Sequence, residues 1–121
     1  MIRKFKFDYD YENDNLFMYD PDSKSRASVE MDDLIIDYNS KKEISAVELL
    51  NACEFFNNVG TSDMKIDKEL LNEIIECNID LTPKNNFFLM KFIMKFKSKK
   101  QLSTPIIIPT IHEHSPAAMK A

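Results

Sequence analysis

Acidic residues recur at alternate positions near the start of the chain: Asp8, Asp10, Glu12 and Asp14. Residues two apart in a strand share one face, so these carboxylates could converge on a hard cation such as Ca²⁺ or Mg²⁺. An EF-hand loop beginning at Asp8 would need Gly and Glu where the chain has Asn13 and Tyr19. Turn-forming acids explain the run without a metal, and we favour that interpretation.

Glu48 is the fifth member of this candidate acidic cluster, and it lies between Val47 and Leu49. Burial would raise its pKa and make it a candidate general acid or base. A solvent-facing position on a strand, or a place near a helix N-terminus, explains it without catalysis. The sequence pairs no histidine or nucleophile with it, so we assign no catalytic residue, no metal ligand and no cofactor.

Two further groups of residues could bind metal or react. His112 and His114 could lie on one side of an extended segment, but structural zinc normally takes four protein ligands, and no others are assignable. Cys53 and Cys77 lie in apolar contexts in a chain without a secretory signal, which favours reduced packing thiols. Both pairs therefore have an ordinary structural explanation.

Charge is distributed unevenly along the chain. Residues 1–60 carry a net charge of −6 and residues 61–121 a net charge of +2, within a total of −4. Residues 84–100 hold six lysines and no acid. Such a strip could meet phosphates, but the wet face of a strand explains it better, and no arginine follows Arg26. Nucleic acid is therefore a disfavoured partner.

The length of 121 residues predicts a single domain, which we place at residues 1–111, with a flexible C-terminal tail at 112–121. The longest apolar runs are only a few residues, whereas a membrane span needs about 20, so we expect no membrane insertion. Together with the missing signal sequence, this predicts a cytoplasmic protein.

Hydrophobic periodicity predicts an α+β fold: an antiparallel meander of about four strands, two helices, then about three further antiparallel strands. Alternation marks strands at residues 4–11, 16–19 and 29–38, with a bulge expected at Asp32 and Asp33. The first helix is expected to end near Phe56. The second is expected to begin at Asp67 and to carry Ile74 and Ile75 on its buried face. The two helices would pack on two antiparallel sheet segments. The last strand, at residues 106–108, is bracketed by prolines, which is typical of a sheet edge.

The clearest alternation places five large apolar residues on one face of a strand at 86–97: Phe88, Met90, Phe92, Met94 and Phe96. A core position is the simplest interpretation. A strand of this length would span roughly 40 Å, so part of the face could instead cover a second subunit or partner. We therefore retain these residues as a candidate association face.

The segment Tyr9-Asp10-Tyr11-Glu12-Asn13-Asp14-Asn15-Leu16-Phe17-Met18 resembles the opening motif of domain-of-unknown-function family 2283. Residues 34–38 and 44–52 resemble later motifs of this family, and the resemblance covers about residues 5–56. Ala46 stands where the motif has Gly. The family has no assigned activity or catalytic residue, and some members are encoded beside nuclease-like toxins, which implies an antitoxin-like role.

These observations predict a non-enzymatic interaction module that self-associates, with a homodimer or a small protein partner as the expected assembly. The alternative is a small-ligand- or metal-binding enzyme that uses the carboxylates of Asp8, Asp10, Asp14 and Glu48. A converging pocket around those four carboxylates would distinguish the second hypothesis from the first.

Overall fold

A computed structural model describes residues 2–59 and 64–109. The described strands form one eight-stranded antiparallel sheet, curved into a half-barrel. The strands are β1 (Ile2–Asp10), β2 (Asn15–Tyr19), β3 (Ala27–Met31), β4 (Leu34–Tyr38), β5 (Ile44–Leu49), β6 (Ile74–Pro83), β7 (Phe87–Phe96) and β8 (Gln101–Pro109). The helices are α1 (Ala52–Val59) and the single turn α2 (Lys68–Leu71). The strand order is β3-β4-β5-β2-β1-β6-β7-β8.

The predicted α+β arrangement with two helices is wrong, because the described chain is mostly sheet and only α1 is longer than one turn. The predicted second helix starts correctly, since the Asp67 side chain accepts a hydrogen bond from the Leu70 amide at 2.9 Å. It ends at Leu71, and Ile74 begins β6. β-Branched residues favour strands, and pairing with β7 outweighs the helical spacing of these isoleucines.

The predicted bulged strand at residues 29–38 is a hairpin. Met31 pairs with Leu34, so Asp32 and Asp33 form a two-residue turn between β3 and β4. Asp32 takes a positive φ of 54°, a conformation that short polar side chains tolerate better than most. The sequence correctly located an interruption of the apolar alternation at Asp32 and Asp33. The predicted bulge is wrong, because the chain reverses direction there.

The two predicted sheet segments are one sheet, because β1 pairs with both β2 and β6. Phe7 pairs with Met18 on one side and Phe5 with Cys77 on the other. The side of the sheet that bears the buried apolar residues is called the inner face, and α1 packs against it through Phe56, 6.0 Å from Phe92 between ring centroids. One core therefore runs under all the described strands.

β8 is longer than the predicted strand at 106–108, and it lies at the sheet edge, as its prolines predicted. The predicted tail at 112–121, including His112 and His114, lies outside the described residues. Within the described ranges, no helix is both long enough and apolar enough to cross a membrane.

Candidate functional site

Alternation along the strands gives the sheet a second side, called the outer face, against which neither α1 nor α2 presents its buried side chains. Cross-strand pairing aligns five residues there in one row: Asp8, Phe17, Glu48, Ile35 and Glu30. Acidic and apolar side chains alternate along this row, from β1 to β3. The sheet thus places two of the predicted acids, Asp8 and Glu48, on either side of Phe17.

The separation between Asp8 and Glu48 argues against a shared cation. Their backbones are two strand spacings apart, or about 10 Å, and the ring of Phe17 stands between them. Calcium and magnesium need oxygen ligands within about 2.6 Å of one ion. Consistent with this geometry, no group of three or more His, Cys, Asp or Glu residues suited to a metal occurs within residues 2–59 and 64–109.

Asp10 and Glu12 belong to the turn between β1 and β2. The Asp10 carboxylate accepts hydrogen bonds from the Asn13 side chain at 2.8 Å and from the Asn13 amide at 3.2 Å. These bonds lower the pKa of Asp10, the side-chain bond having the larger effect. Glu12 is exposed, and its carbonyl accepts from Lys68 Nζ at 3.5 Å. The turn interpretation of these two acids agrees with this geometry.

Asp14 joins the β1–β2 turn to the N-terminus of α1. Its carboxylate accepts a hydrogen bond from the Cys53 amide at 3.1 Å and from the Tyr9 hydroxyl at 2.6 Å. Its carbonyl accepts from the Ala52 amide at 2.8 Å. The residue has a positive φ of 56°, which lets it reach the helix from a tight turn. Asp14 therefore caps a helix that begins 38 residues further along the chain.

This junction also contains a thiol and a phenol that its environment keeps protonated. Burial, reinforced by Asp14, raises the pKa of the Cys53 thiol to about 12. Burial and the hydrogen bond to Asp14 raise the pKa of Tyr9 well above its ordinary value. Thiolate is the reactive form of cysteine, so this arrangement suits a structural joint better than a nucleophile.

The predicted acidic cluster is thus divided among three places: the outer face, the β1–β2 turn and the α1 junction. The candidate association face on β7 is largely in the core. Phe92, Met90 and Met94 are fully buried, Phe96 is 1% exposed, and Phe88 is partly exposed. An association surface on a single copy of this chain therefore has to be sought elsewhere.

The outer face has two regions of opposite charge, defined from the strand registers. Its acidic region, on β2–β5 and residues 8–10 of β1, carries five acids and no base among those strand positions: Asp8, Asp10, Glu30, Asp37 and Glu48. Its lysine region, on β1 and β6–β8, carries Lys4, Lys6, Lys91 and Lys95 beside the acids Glu76 and Asp80. Glu76 is neutralised locally, with Lys95 at 3.6 Å and Lys4 at 3.7 Å.

Apolar side chains are exposed in both regions. Phe17 is 38% exposed and stacks on Tyr19 with ring centroids 5.1 Å apart. Ile107, on the edge strand, is 67% exposed, and Ile2 is 60% exposed. Sequence reasoning missed this surface, although the pairing of Phe17 and Tyr19 at alternate positions was a visible signal of one strand face.

Residues 6–52 match the model of a family described as Protein of unknown function (DUF2283), which confirms the resemblance seen in the sequence. A Methanosarcina mazei protein with the provisional name hypoxanthine phosphoribosyltransferase is 40% identical over 71 residues, 57% of each chain. An uncharacterised protein of Methanocaldococcus jannaschii is 44% identical over 42 residues, 35% of this chain and 36% of its own. These alignments cover well under two thirds of either relative. No solved structure matches the chain.

Proposed function

We propose that this protein is a non-enzymatic, cytoplasmic interaction module that self-associates through the outer face of its sheet. The observation that carries the proposal is the charge division of that face, with exposed apolar residues in both regions. Phe17 lies in the acidic region, and Ile107 lies in the lysine region. Exposed apolar groups framed by charge are a common feature of association surfaces.

The charge division favours a second copy of the same chain as the partner. In a two-fold dimer, the acidic region of each copy can face the lysine region of the other, so that the contact is made twice. Complementary charges direct the encounter and fix the register, while the apolar residues contribute the buried area. An antitoxin-like role would use the same face against a different basic or acidic partner, and it stays a prediction from the family resemblance.

The curvature of the sheet sets the expected strength of this dimer. Two half-barrels that meet on their outer faces contact along a strip, so the interface should bury less than about 1,200 Å² in total, which is typical of weak complexes. We therefore expect a dissociation constant in the micromolar range. Sedimentation equilibrium from about 10 to about 500 μM brackets that range. A monomer throughout this range would contradict the proposal.

Charge reversal gives a sharper test. Glu48→Lys should weaken the dimer about tenfold, because it places like charges against the lysine region of the partner. Lys91→Glu should do the same from the other side. An equimolar mixture of the two variants should form a heterodimer of restored affinity. One of its two contacts then has both charges reversed and the other keeps its original charges, so both contacts pair opposite charges.

Glu54→Lys is the matched control. It makes the same charge change on α1, which packs on the inner side of the sheet, and it should leave the dissociation constant unchanged. Equal weakening by Glu48→Lys and Glu54→Lys would mean that net charge alone governs association, and it would refute the outer-face interface. Failure of the mixture to restore affinity would refute the paired regions.

A further inference from the structure

The Arg3 side chain lies between two adjacent cavities at one end of β1. Its guanidinium donates to the Asp20 carboxylate at 2.8 Å and to the Ile44 carbonyl at 2.9 Å. It also lies over the Phe5 ring, 4.9 Å from the ring centroid. Three contacts therefore fix the position of a cation whose side chain is still 32% exposed.

The first cavity has a volume of about 210 Å³ and is mostly apolar. It is lined by Phe5, Ile44, Ile79, Leu81 and Phe88, with Arg3 and Lys42 among its polar residues. Phe5, Ile44 and Ile79 belong to the core, so this cavity opens the core toward the surface beside the guanidinium. It offers a binding place for a short apolar group.

The second cavity, of about 340 Å³, is polar and shares Arg3 and Glu43 with the first. It contains Lys24, Arg26 and Lys41, so both arginines of the chain line it. Residues 1–60 contain seven basic and thirteen acidic residues, and five of the seven basic residues line these two cavities. Cations thus gather here within the acidic part of the chain.

The acids of the polar cavity offset this charge only in part. Both oxygens of the Asp20 carboxylate are engaged, one by Arg3 and the other by the Asp22 amide at 2.9 Å. Glu43 accepts a hydrogen bond from the Asn39 side chain at 3.3 Å, and the Asp22 carboxylate completes the set of acids in this cavity. The lining therefore keeps more cations than acids.

We propose that the two cavities form one site, called the Arg3 cleft, for a small amphipathic anion. The apolar body of the ligand would occupy the first cavity, and its carboxylate or phosphate monoester would bind in the second. A guanidinium has five N–H groups, and two of them donate to described residues, so Arg3 keeps donors for an anionic oxygen. Arg26 and Lys24 provide further donors from the loop before β3.

The size of the cleft agrees with this ligand class. Small-molecule sites usually have volumes of about 300–1,000 Å³ and combine an apolar lining with a few placed polar groups. The apolar cavity alone is below that range, and the polar cavity alone lacks an apolar lining. Joined at Arg3, they meet both criteria. This inference is independent of self-association, because its residues do not belong to the charged rows of the outer face.

Four probes test the cleft by titration calorimetry and by amide chemical shifts: octanoate, octyl phosphate, octanol and inorganic phosphate. We expect binding of at least one of the two charged amphiphiles, with shifts at Ile44 and Ile79 and at residues 24–26. The stronger of the two identifies the headgroup. If octanol binds as tightly as octanoate and octyl phosphate, the anionic part of the site is refuted. If inorganic phosphate binds as tightly as octyl phosphate, the contribution of the apolar cavity is refuted. Absence of binding by both amphiphiles at millimolar concentration would also refute the proposal.

Variants separate the cleft from a general charge effect. Arg26→Gln lies at an exposed position, so it should preserve the fold and weaken the bound amphiphile about tenfold, as expected for one charge-assisted hydrogen bond. Arg3→Gln should weaken it at least as much, with circular dichroism confirming that the sheet remains. The matched control Lys97→Gln, also exposed, should leave affinity unchanged. Equal losses in the control and in Arg26→Gln would refute the site.

Discussion

Strands β1–β5 and strands β6–β8 resemble each other on the inner face and differ on the outer face. Inside, both groups contribute fully buried residues to one core, such as Met18 from β2 and Phe92 from β7. Outside, the acidic region lies within the first group, on β2–β5 and residues 8–10 of β1, and the second group carries lysines from β7. The segment that matches the family model, residues 6–52, lies within the first group and extends to the start of α1.

This difference indicates that the later strands complete the matched segment in two ways. They extend the five-stranded sheet at β1 and contribute residues to the same core, and they add lysines to the outer face. The shared core is determined by packing, whereas the outer face is free to vary in charge because water solvates it.

The largest effect is expected from removing a shared core residue. Phe92→Ala should lower the free energy of unfolding by about 3–5 kcal/mol, because it leaves a cavity between β7 and the rings of Phe55 and Phe56. Urea denaturation followed by circular dichroism measures this change. Phe17→Ala is the matched control on the outer face and should cost clearly less. A variant in which β1–β5 stay folded while β6–β8 unfold would disprove the single core.

The next effect concerns the junction inside the matched segment. Asp14→Ala should destabilise the fold by about 0.5–2 kcal/mol, since it removes the cap of α1 and the acceptor of the Tyr9 hydroxyl. Asp8→Ala, at an exposed position on β1, should have little effect on the free energy of unfolding. Equal losses from the two variants in urea denaturation would contradict the capping role.

Salt should weaken the dimer by a smaller, graded amount. Raising the salt concentration shortens the Debye length from about 10 Å at 0.1 M to about 3 Å at 1 M, which screens the opposed regions. We expect the dissociation constant to rise severalfold across this range in sedimentation equilibrium. The apolar contacts should remain. Tighter association at high salt would instead indicate an interface dominated by apolar residues.

The smallest effect is expected from acid. The Asn78 side chain, with help from Lys95 and Lys4, lowers the pKa of Glu76 below its ordinary value of 4.5. A lowered pKa in the folded state stabilises the fold above pH 4.5 and loses that contribution as the pH falls through the folded value. Glu76→Gln should therefore reduce the acid dependence of stability slightly in urea titrations below pH 4.5. An unchanged pH profile would contradict this role.

The sequence predicted local features well where one short-range signal decided them. The alternation from Phe88 to Phe96 identified β7, and Asp67 was correctly identified as a helix cap. It failed where two signals competed, as at Ile74 and Ile75, whose spacing suits a helix and whose branching suits a strand. Among the candidate acids, the turn role of Asp10 was predictable from Asn13, three residues away.

The role of Asp14 was not predictable, because its partner amide at Cys53 is 39 residues distant and becomes a neighbour only when β2 and β5 pair. The Arg3 cleft has the same origin, since it draws residues from β1, the loop before β3 and the turn before β5. The amino-acid sequence by itself determined several of the strands, such as β1, β2 and β7, the turn between β1 and β2, and the total of each charge. Tertiary structure alone decided which charges share a face, because the order of strands in a sheet depends on long-range pairing and not on any local pattern.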